Sequence, residues 1–207
     1  MGHIILVEGA DMAKDTRDRI LEASLELFAK NGYAATNIKD ISDAVGIVKS
    51  AFYRHFASKE EAFDAVMEMM ASYYEENMGS TSRMPPVPDS MEELKQLTMK
   101  MVNFTVHDER IIQSRKLLLA EQFHDERVRD LANHYFLYGT ESMFTKIFSG
   151  MMEKGIIKRC DPAILAFSYT SPITVLIHLC DREPARESEA MEKLKAFIDQ
   201  FTAEYDA

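Results

Sequence analysis

The stretch from Thr36 to Lys59, TNIKDISDAVGIVKSAFYRHFASK, constrains the fold of this chain more than any other. Ile38, Ile41 and Val45 recur at helical spacing, so its first half reads as a short amphipathic helix. Thr36 or Asn37 opens that helix, since either side chain can accept a hydrogen bond from first-turn N–H groups. Asp40 adds negative charge at the positive end of the helix dipole. Gly46 then lets the chain leave one helix and enter the next almost at once, the turn of a helix-turn-helix. Phe52 and Phe56 anchor the second helix. With those rings inward, Lys49, Ser50, Tyr53 and Arg54 point outward, a basic, polar and aromatic set that suits a DNA groove.

The whole chain carries a formal charge of -10, which by itself argues against a polyanionic partner. From Gly46 to Lys59, however, there are three cations, Lys49, Arg54 and Lys59, and no acid. Phosphate contacts dominate affinity for DNA, so this local acid-free patch is more informative than the sum.

At 207 residues, with little glycine or proline, the chain is globular and holds one large or two small domains. Cys160 and Cys180 are too few for a disulfide framework and too far apart for a metal motif, which points to a reducing cytoplasm. Residues 1–14 include a short apolar run, His3 to Val7, without a basic leader, and are expected to form a disordered arm. From Asp15 the pattern is helical, with Ile20, Ala23 and Leu27 on one stripe, Leu21 and Phe28 beside it, and a stop at Asn31-Gly32. Ser58 and Glu61 form a capping box that opens a further helix carrying Phe63, Val66, Met67 and Met70. Asn77 to Asp89, rich in Gly, Ser, Thr and Pro, is a linker.

A second box, Ser90 to Glu93, starts a helix bearing Leu94, Leu97, Met101 and Phe104, and amphipathic segments follow over 109–122 and 125–154, the latter stopped by Gly155. Asp161-Pro162 opens an apolar stretch, Ala163 to Cys180, broken by Ser168, Thr170, Ser171, Pro172 and His178. It reads as a core or interface helix and not a membrane span. Met191, Leu194, Ile198 and Phe201 mark one last amphipathic helix. With no alternating strand pattern and no internal repeat, the expected fold is all-α: an N-terminal three-helix domain with the helix-turn-helix, followed by a larger helical domain.

Gly32-Tyr33, Thr36, Ile41, Gly46-Ile47, Tyr53, Phe56 and Ser58-Lys59-Glu60-Glu61 resemble the DNA-binding domain of TetR-type transcriptional regulators, over roughly a quarter of the chain. The resemblance implies a DNA-binding domain over 15–62 and an effector-binding and dimerisation domain over 63–207. It implies that Thr36 and Lys59 clamp the DNA backbone, that Tyr53 reaches a phosphate, and that Val48, Lys49, Ser50 and Ala51 meet base edges, Lys49 being best able to donate to guanine. Asn37, Arg54 and His55 complete the DNA-facing set. Val48 departs from the family, which usually places serine or threonine there, so a helix cap and a hydroxyl contact to phosphate are absent. A methyl contact to thymine can take their place.

The resemblance further implies a homodimer, because two recognition helices about one turn of duplex apart, ~34–36 Å, read the halves of a palindrome. Leu165, Tyr169, Ile173, Leu176, Met191, Leu194, Ile198 and Phe201 are candidates for an isologous interface. Phe104, His107, Phe123, His134, Tyr138, Phe144, Phe148 and Tyr169 are candidates for an effector pocket, with methionines as a deformable lining for an apolar or aromatic ligand. Effector and operator then compete through one conformational equilibrium. No cofactor is expected. His107, His124, His134 and His178 lack HxxxH spacing, and Glu121, His124 and Asp125 read as a solvated face, so no metal site is expected. No nucleophile elbow, phosphate loop or zinc motif supports an enzyme. A DNA-binding adaptor without an effector, or an activator, uses the same reader.

Overall fold

In a computed structural model of the chain, residues 4–78 and 84–207 are described, with side chains from 15 to 77 and from 84 onward. Gly79, Ser80, Thr81 and Ser82 of the expected linker lie outside them, as do Met1, Gly2 and His3. Every segment with helical periodicity is a helix, and the described residues contain no strand. They gather into two compact units, Met1–Tyr74 with Gln113–Val128, and Glu75–Ile112 with Arg129–Ala207.

The first unit begins with α1, Ile4–Asn31. The stretch 1–14 expected as an arm overlaps the start of this helix from Ile4 on. Extending an existing helix avoids the cost of nucleation, and no proline interrupts this segment. The buried stripe of α1 is Ile20, Leu21, Ser24, Leu25 and Phe28, with Ala23 and Leu27 only half-buried. The apolar pattern thus identified the helix but placed the centre of its buried face one residue off. Helices α2 (Ile38–Val45), α3 (Lys49–Phe52) and α4 (Lys59–Met78) follow, joined by the later part of α6 (Glu109–Glu121) and the first residues of α7 (Glu126–Asn133). The expected boundary between 62 and 63 falls within α4. Ser58 Oγ accepts the Glu61 N–H at 3.0 Å, while the Glu61 carboxylate accepts from Ala57 rather than closing the box on Ser58 itself.

In the second unit α5 is Met91–His107, opened by Ser90, and α8 is Gly139–Glu153. α9, Pro162–Arg182, starts at Asp161, whose carboxylate accepts from Ala163 and Ile164, and α10 is Glu187–Tyr205. α9 packs on α5, α8 and α10. Tyr169 lies at the centre of that core, fully buried, with the rings of Phe201, Phe144 and Phe148 at 4.4, 5.2 and 5.4 Å. Its hydroxyl is 2.8 Å from Thr98 Oγ1, so the one polar atom in this aromatic cluster is satisfied. Ion pairs Lys95 with Asp199 and Lys154 with Asp89 tie the periphery.

One element has no counterpart in the periodicity. Between α7 and α8, His134–Tyr138 is a π-helical turn in which the Gly139 N–H donates to the His134 carbonyl. A Cβ on Gly139 would lie 2.6 Å from that oxygen, so glycine is what permits the wider turn.

Candidate nucleic-acid interface

Asn37, not Thr36, caps α2. Its Oδ1 accepts from Lys39 and Asp40 at 2.9 and 3.1 Å, and the Asp40 carboxylate accepts the Asn37 N–H at 2.9 Å, a complete capping box. Gly46 ends α2 at φ 76°, ψ 34°, donating to Asp43 while Ile47 donates to Ser42, the reciprocal bonds of a Schellman motif. A side chain at Gly46 would meet open space, so it is the left-handed backbone that selects glycine. The Arg19 guanidinium donates to the Val45 carbonyl at 2.6 Å and fastens this end of α2 to α1. Phe52 and Phe56, both buried with ring centroids 5.7 Å apart, fix α3 from beneath.

The consequence is an outward face made of Lys49, Ser50, Tyr53 and Arg54, with His55 half-buried beside them and Asn37 exposed. The Lys49 ammonium lies 5.9 Å from the Tyr53 ring centroid, a cation–π pair at the edge of that face. Nearby acids are engaged locally: Asp40 in the α2 cap and Asp43 with Lys39. Val48 is 68% exposed and leaves α3 without a side-chain cap, although its backbone is extended as a cap requires. Val48→Ser is therefore expected to raise stability by about 1 kcal/mol, read by thermal or urea unfolding, and to change base preference at one operator position in binding-site selection. Ala51 is 6% exposed and faces the core, so a base-edge role for its side chain is corrected: the position reads as packing.

Thr36 and Lys59 also depart from the expected outward roles. Thr36 is fully buried and donates its hydroxyl proton toward the Gly32 and Leu27 carbonyls at 2.9 and 3.2 Å, satisfying the end of α1. Lys59 turns its ammonium inward to the carbonyls of Tyr33 and Thr36, each at 2.7 Å, and over the Tyr33 ring at 4.2 Å. Tyr33 packs against Phe28 and Phe63 with tilted rings, centroids at 5.5 and 4.7 Å. Burial, then the carboxylates of Glu60 and Asp64, pushes its phenol above the ordinary value, so the ring is neutral under the ammonium.

Two contacts of this unit come from far along the chain. Glu121 Oε1 accepts the Tyr33 N–H at 2.8 Å, and Arg127 pairs with Asp64 and Asp125, each at 2.7 Å. The hydrogen bonds from Arg127 hold the Asp125 carboxyl below its usual value. Of the face expected to be merely solvated, Glu121 and Asp125 are thus structural partners.

The candidate pocket residues are not brought together. Phe144, Phe148 and Tyr169 form the filled aromatic core, whereas Phe123 and Tyr138 are 85% and 65% exposed. His107 pairs with Glu187 at 3.0 Å on the surface, His134 is exposed against Tyr135, and Phe104 is half-buried on α5. The candidate interface residues are likewise redirected. Leu165, Tyr169, Ile173, Leu194, Ile198 and Phe201 are buried in the chain's own core, with Leu176 and Met191 packed against it. The apolar side chains that α9 presents to solvent are Ile164, Phe167 and Val175.

Residues 20–66 match the family of bacterial regulatory proteins, tetR family. The chain is 31% identical over 113 residues to the HTH-type transcriptional regulator AcrR of Shigella flexneri, covering 54% of this chain and 50% of AcrR. It is 30% identical over 143 residues to the HTH-type transcriptional repressor KstR2 of Rhodococcus jostii, covering 68% of this chain and 65% of KstR2. The matches span half or less of the first curated relatives' own length. These relatives are named as regulators and repressors, not enzymes. In fold, the chain is similar to SmeT, the repressor of the Stenotrophomonas maltophilia multidrug efflux pump SmeDEF, in its triclosan complex. The TM-score is 0.69 at 20% identity, over 93% of this chain and 92% of that one. A capped helix, a glycine turn and a short basic helix within the matched residues agree with both kinds of likeness, and residues 20–66 are a DNA-binding segment of the tetR-family type.

Proposed function

We propose that the protein is a DNA-binding transcriptional repressor of the cytoplasm that reads a palindromic operator as a homodimer and is released by a small apolar or aromatic effector. The observation that carries this reading is the exposed, acid-free face of α3, where Lys49, Ser50, Tyr53 and Arg54 stand on a helix braced by Phe52 and Phe56. Tyr53 and Arg54 supply backbone contacts, and Val48, Lys49 and Ser50 at the start of the helix meet base edges. The exposed apolar residues of α9 supply the surface for a second copy. SmeT binds triclosan, and a comparable effector here would engage the half-buried Leu97, Met101, Met143 and Leu176 that pack around the core of the second unit. The filled aromatic core at Tyr169 favours one alternative, a DNA-binding adaptor without an effector. An activator would use the same reader and differ only in where its operator lies.

The test is titration of the purified protein against duplex DNA from beside its own gene and against sites selected from a random library, across salt concentrations and with random duplex as competitor. The expected result is specific binding with a steep salt dependence, lost in the Lys49→Ala, Tyr53→Phe double variant. Binding that random DNA competes away at every salt, with no site enriched by selection, would overturn the reading.

A further inference from the structure

Resting on the DNA-binding reading, we propose that Arg17, on α1 and outside the helix-turn-helix, is a further DNA contact that binds a backbone phosphate beside the groove that α3 fills. Its guanidinium lies over the ring of Phe56, 5.1 Å from the centroid, while the residue itself is exposed. Phe56 meets the Phe52 ring at 5.7 Å, and Phe52 meets Tyr53 edge-on at 5.8 Å. Arg17 thus closes one end of a run of ring contacts whose other end, Tyr53, stands on the outward face of α3. Phe56 also begins the short crossing, through Ala57 and Ser58, to Lys59 at the start of α4. The N–H groups of a helix start favour phosphate, so the guanidinium stands next to chain that borders the duplex backbone.

The same turn of α1 is held from a second side. Arg19 donates to the Val45 carbonyl at 2.6 Å, just before the glycine turn that leads into α3. Residues 17 and 19 therefore touch the chain on both sides of α3. Ile20 and Leu21, three and four residues after Arg17, begin the buried stripe, so Arg17 continues that stripe to the point where it leaves the core. An exposed arginine ordinarily samples many rotamers. Phe56 restricts this one, because an aromatic face attracts a guanidinium and leaves its charge whole. Arg17 makes no ion pair among the described residues, and its N–H donors are available to an oxyanion. Asp15 and Asp18 leave α1 about 200° and 100° around the helix from it. The acid-free surface of Gly46 to Lys59 gains a fourth cation in this way, from three positions before the residues 20–66 that match the family.

The experiment measures affinity for the selected operator across salt with the full chain as wild type, Arg17→Met and Arg17→Lys. It is repeated on operators in which single phosphates are replaced by uncharged methylphosphonate, and thermal unfolding is recorded for each variant. Methionine keeps an apolar contact with Phe56, so the fold is retained while the charge is lost. Arg17→Met is expected to bind about tenfold more weakly, with the slope of log affinity against log salt lower by about 0.9. The sequence it selects should match that of wild type, because a phosphate contact carries no base information. Arg17→Lys should keep the wild-type slope. At one methylphosphonate position the wild type should weaken, whereas Arg17→Met should bind as it does to the unmodified operator. An unchanged slope in Arg17→Met, or the absence of any such position, would overturn the proposal and leave Arg17 a packing residue whose loss shows only in unfolding. A wild type that selects no operator would overturn the DNA reading itself, a failure visible before any variant is compared.

Discussion

Replacing Phe167 by glutamate is expected to leave the protein monomeric and to weaken operator binding by roughly 10²- to 10⁴-fold, the loss incurred when two half-site contacts are no longer linked. Ile164, Phe167 and Val175 are 64%, 55% and 67% exposed and share one face of α9 with Ser168 and Ser171. Those hydroxyls donate to the carbonyls four residues earlier, at 2.8 and 2.7 Å, so the face can be dried without orphaning a donor. In the proposed homodimer a second copy would bring the same stripe to it and bury it around a two-fold axis. A charge at its centre would be desolvated without a partner, which a dimer does not tolerate. In the monomer the same substitution sits in water, so unfolding stability should change by only about 0.5 kcal/mol. Sedimentation velocity and operator titration check the two effects together, and a Phe167→Glu protein that stays dimeric with wild-type affinity would put the interface on another surface.

The largest expected effect on stability lies at Tyr169. Tyr169→Ala removes the ring that Phe144, Phe148 and Phe201 enclose, and urea unfolding is expected to show a loss of about 3–5 kcal/mol. Tyr169→Phe keeps the ring and forfeits only the Thr98 contact, a loss of about 0.5–1.5 kcal/mol. The two variants separate packing from hydrogen bonding. A pH signature accompanies them, because burial pushes the Tyr169 phenol up to about 12 from an unfolded value near 10.0. With the folded value raised, the contribution is fully present below about pH 10 and is lost as pH rises from there toward the folded value, since the unfolded chain releases the proton first. Wild type should therefore lose stability more steeply above pH 10 than Tyr169→Phe, and identical alkaline slopes would mean that the phenol ionises without unfolding.

The parts of the molecule that sequence reveals are those whose causes are local. Gly46, the Phe52 and Phe56 pair and the Ser90 and Asp161 caps act within one or two turns of chain, so their spacing carries their geometry. Thr36 and Lys59 were placed by resemblance, which aligns positions and is silent on partners. The oxygens they meet are backbone atoms, and for Lys59 those carbonyls are 26 and 23 residues away. Glu121 was legible only as one acid on an acidic surface, because a hydrogen bond to a backbone amide leaves no trace in the identity of Tyr33. The apolar stripes of α9 and α10 were assigned to the partner copy for a related reason. Hydrophobicity ranks faces, and the most apolar one is taken by the chain's own core, leaving the second-ranked face, Ile164, Phe167 and Val175, exposed and free for the proposed contact between copies.

The π turn at His134–Tyr138 amounts to one residue more than an unbroken α-helix would need between α7 and α8. Each α-helical residue advances the azimuth by about 100°, so that surplus residue sets the phase between the side chains before it and those after it. The rod thus carries a spare unit of length at a single address, paid for by a glycine at 139. Within the second unit, loss of one residue in the turn is a deletion that this helix can absorb with Ala132 on one flank, and Phe144, Ile147 and Phe148 on the other, still facing their present core. Anywhere else along the same rod, a missing residue would rotate one of those sets out into water.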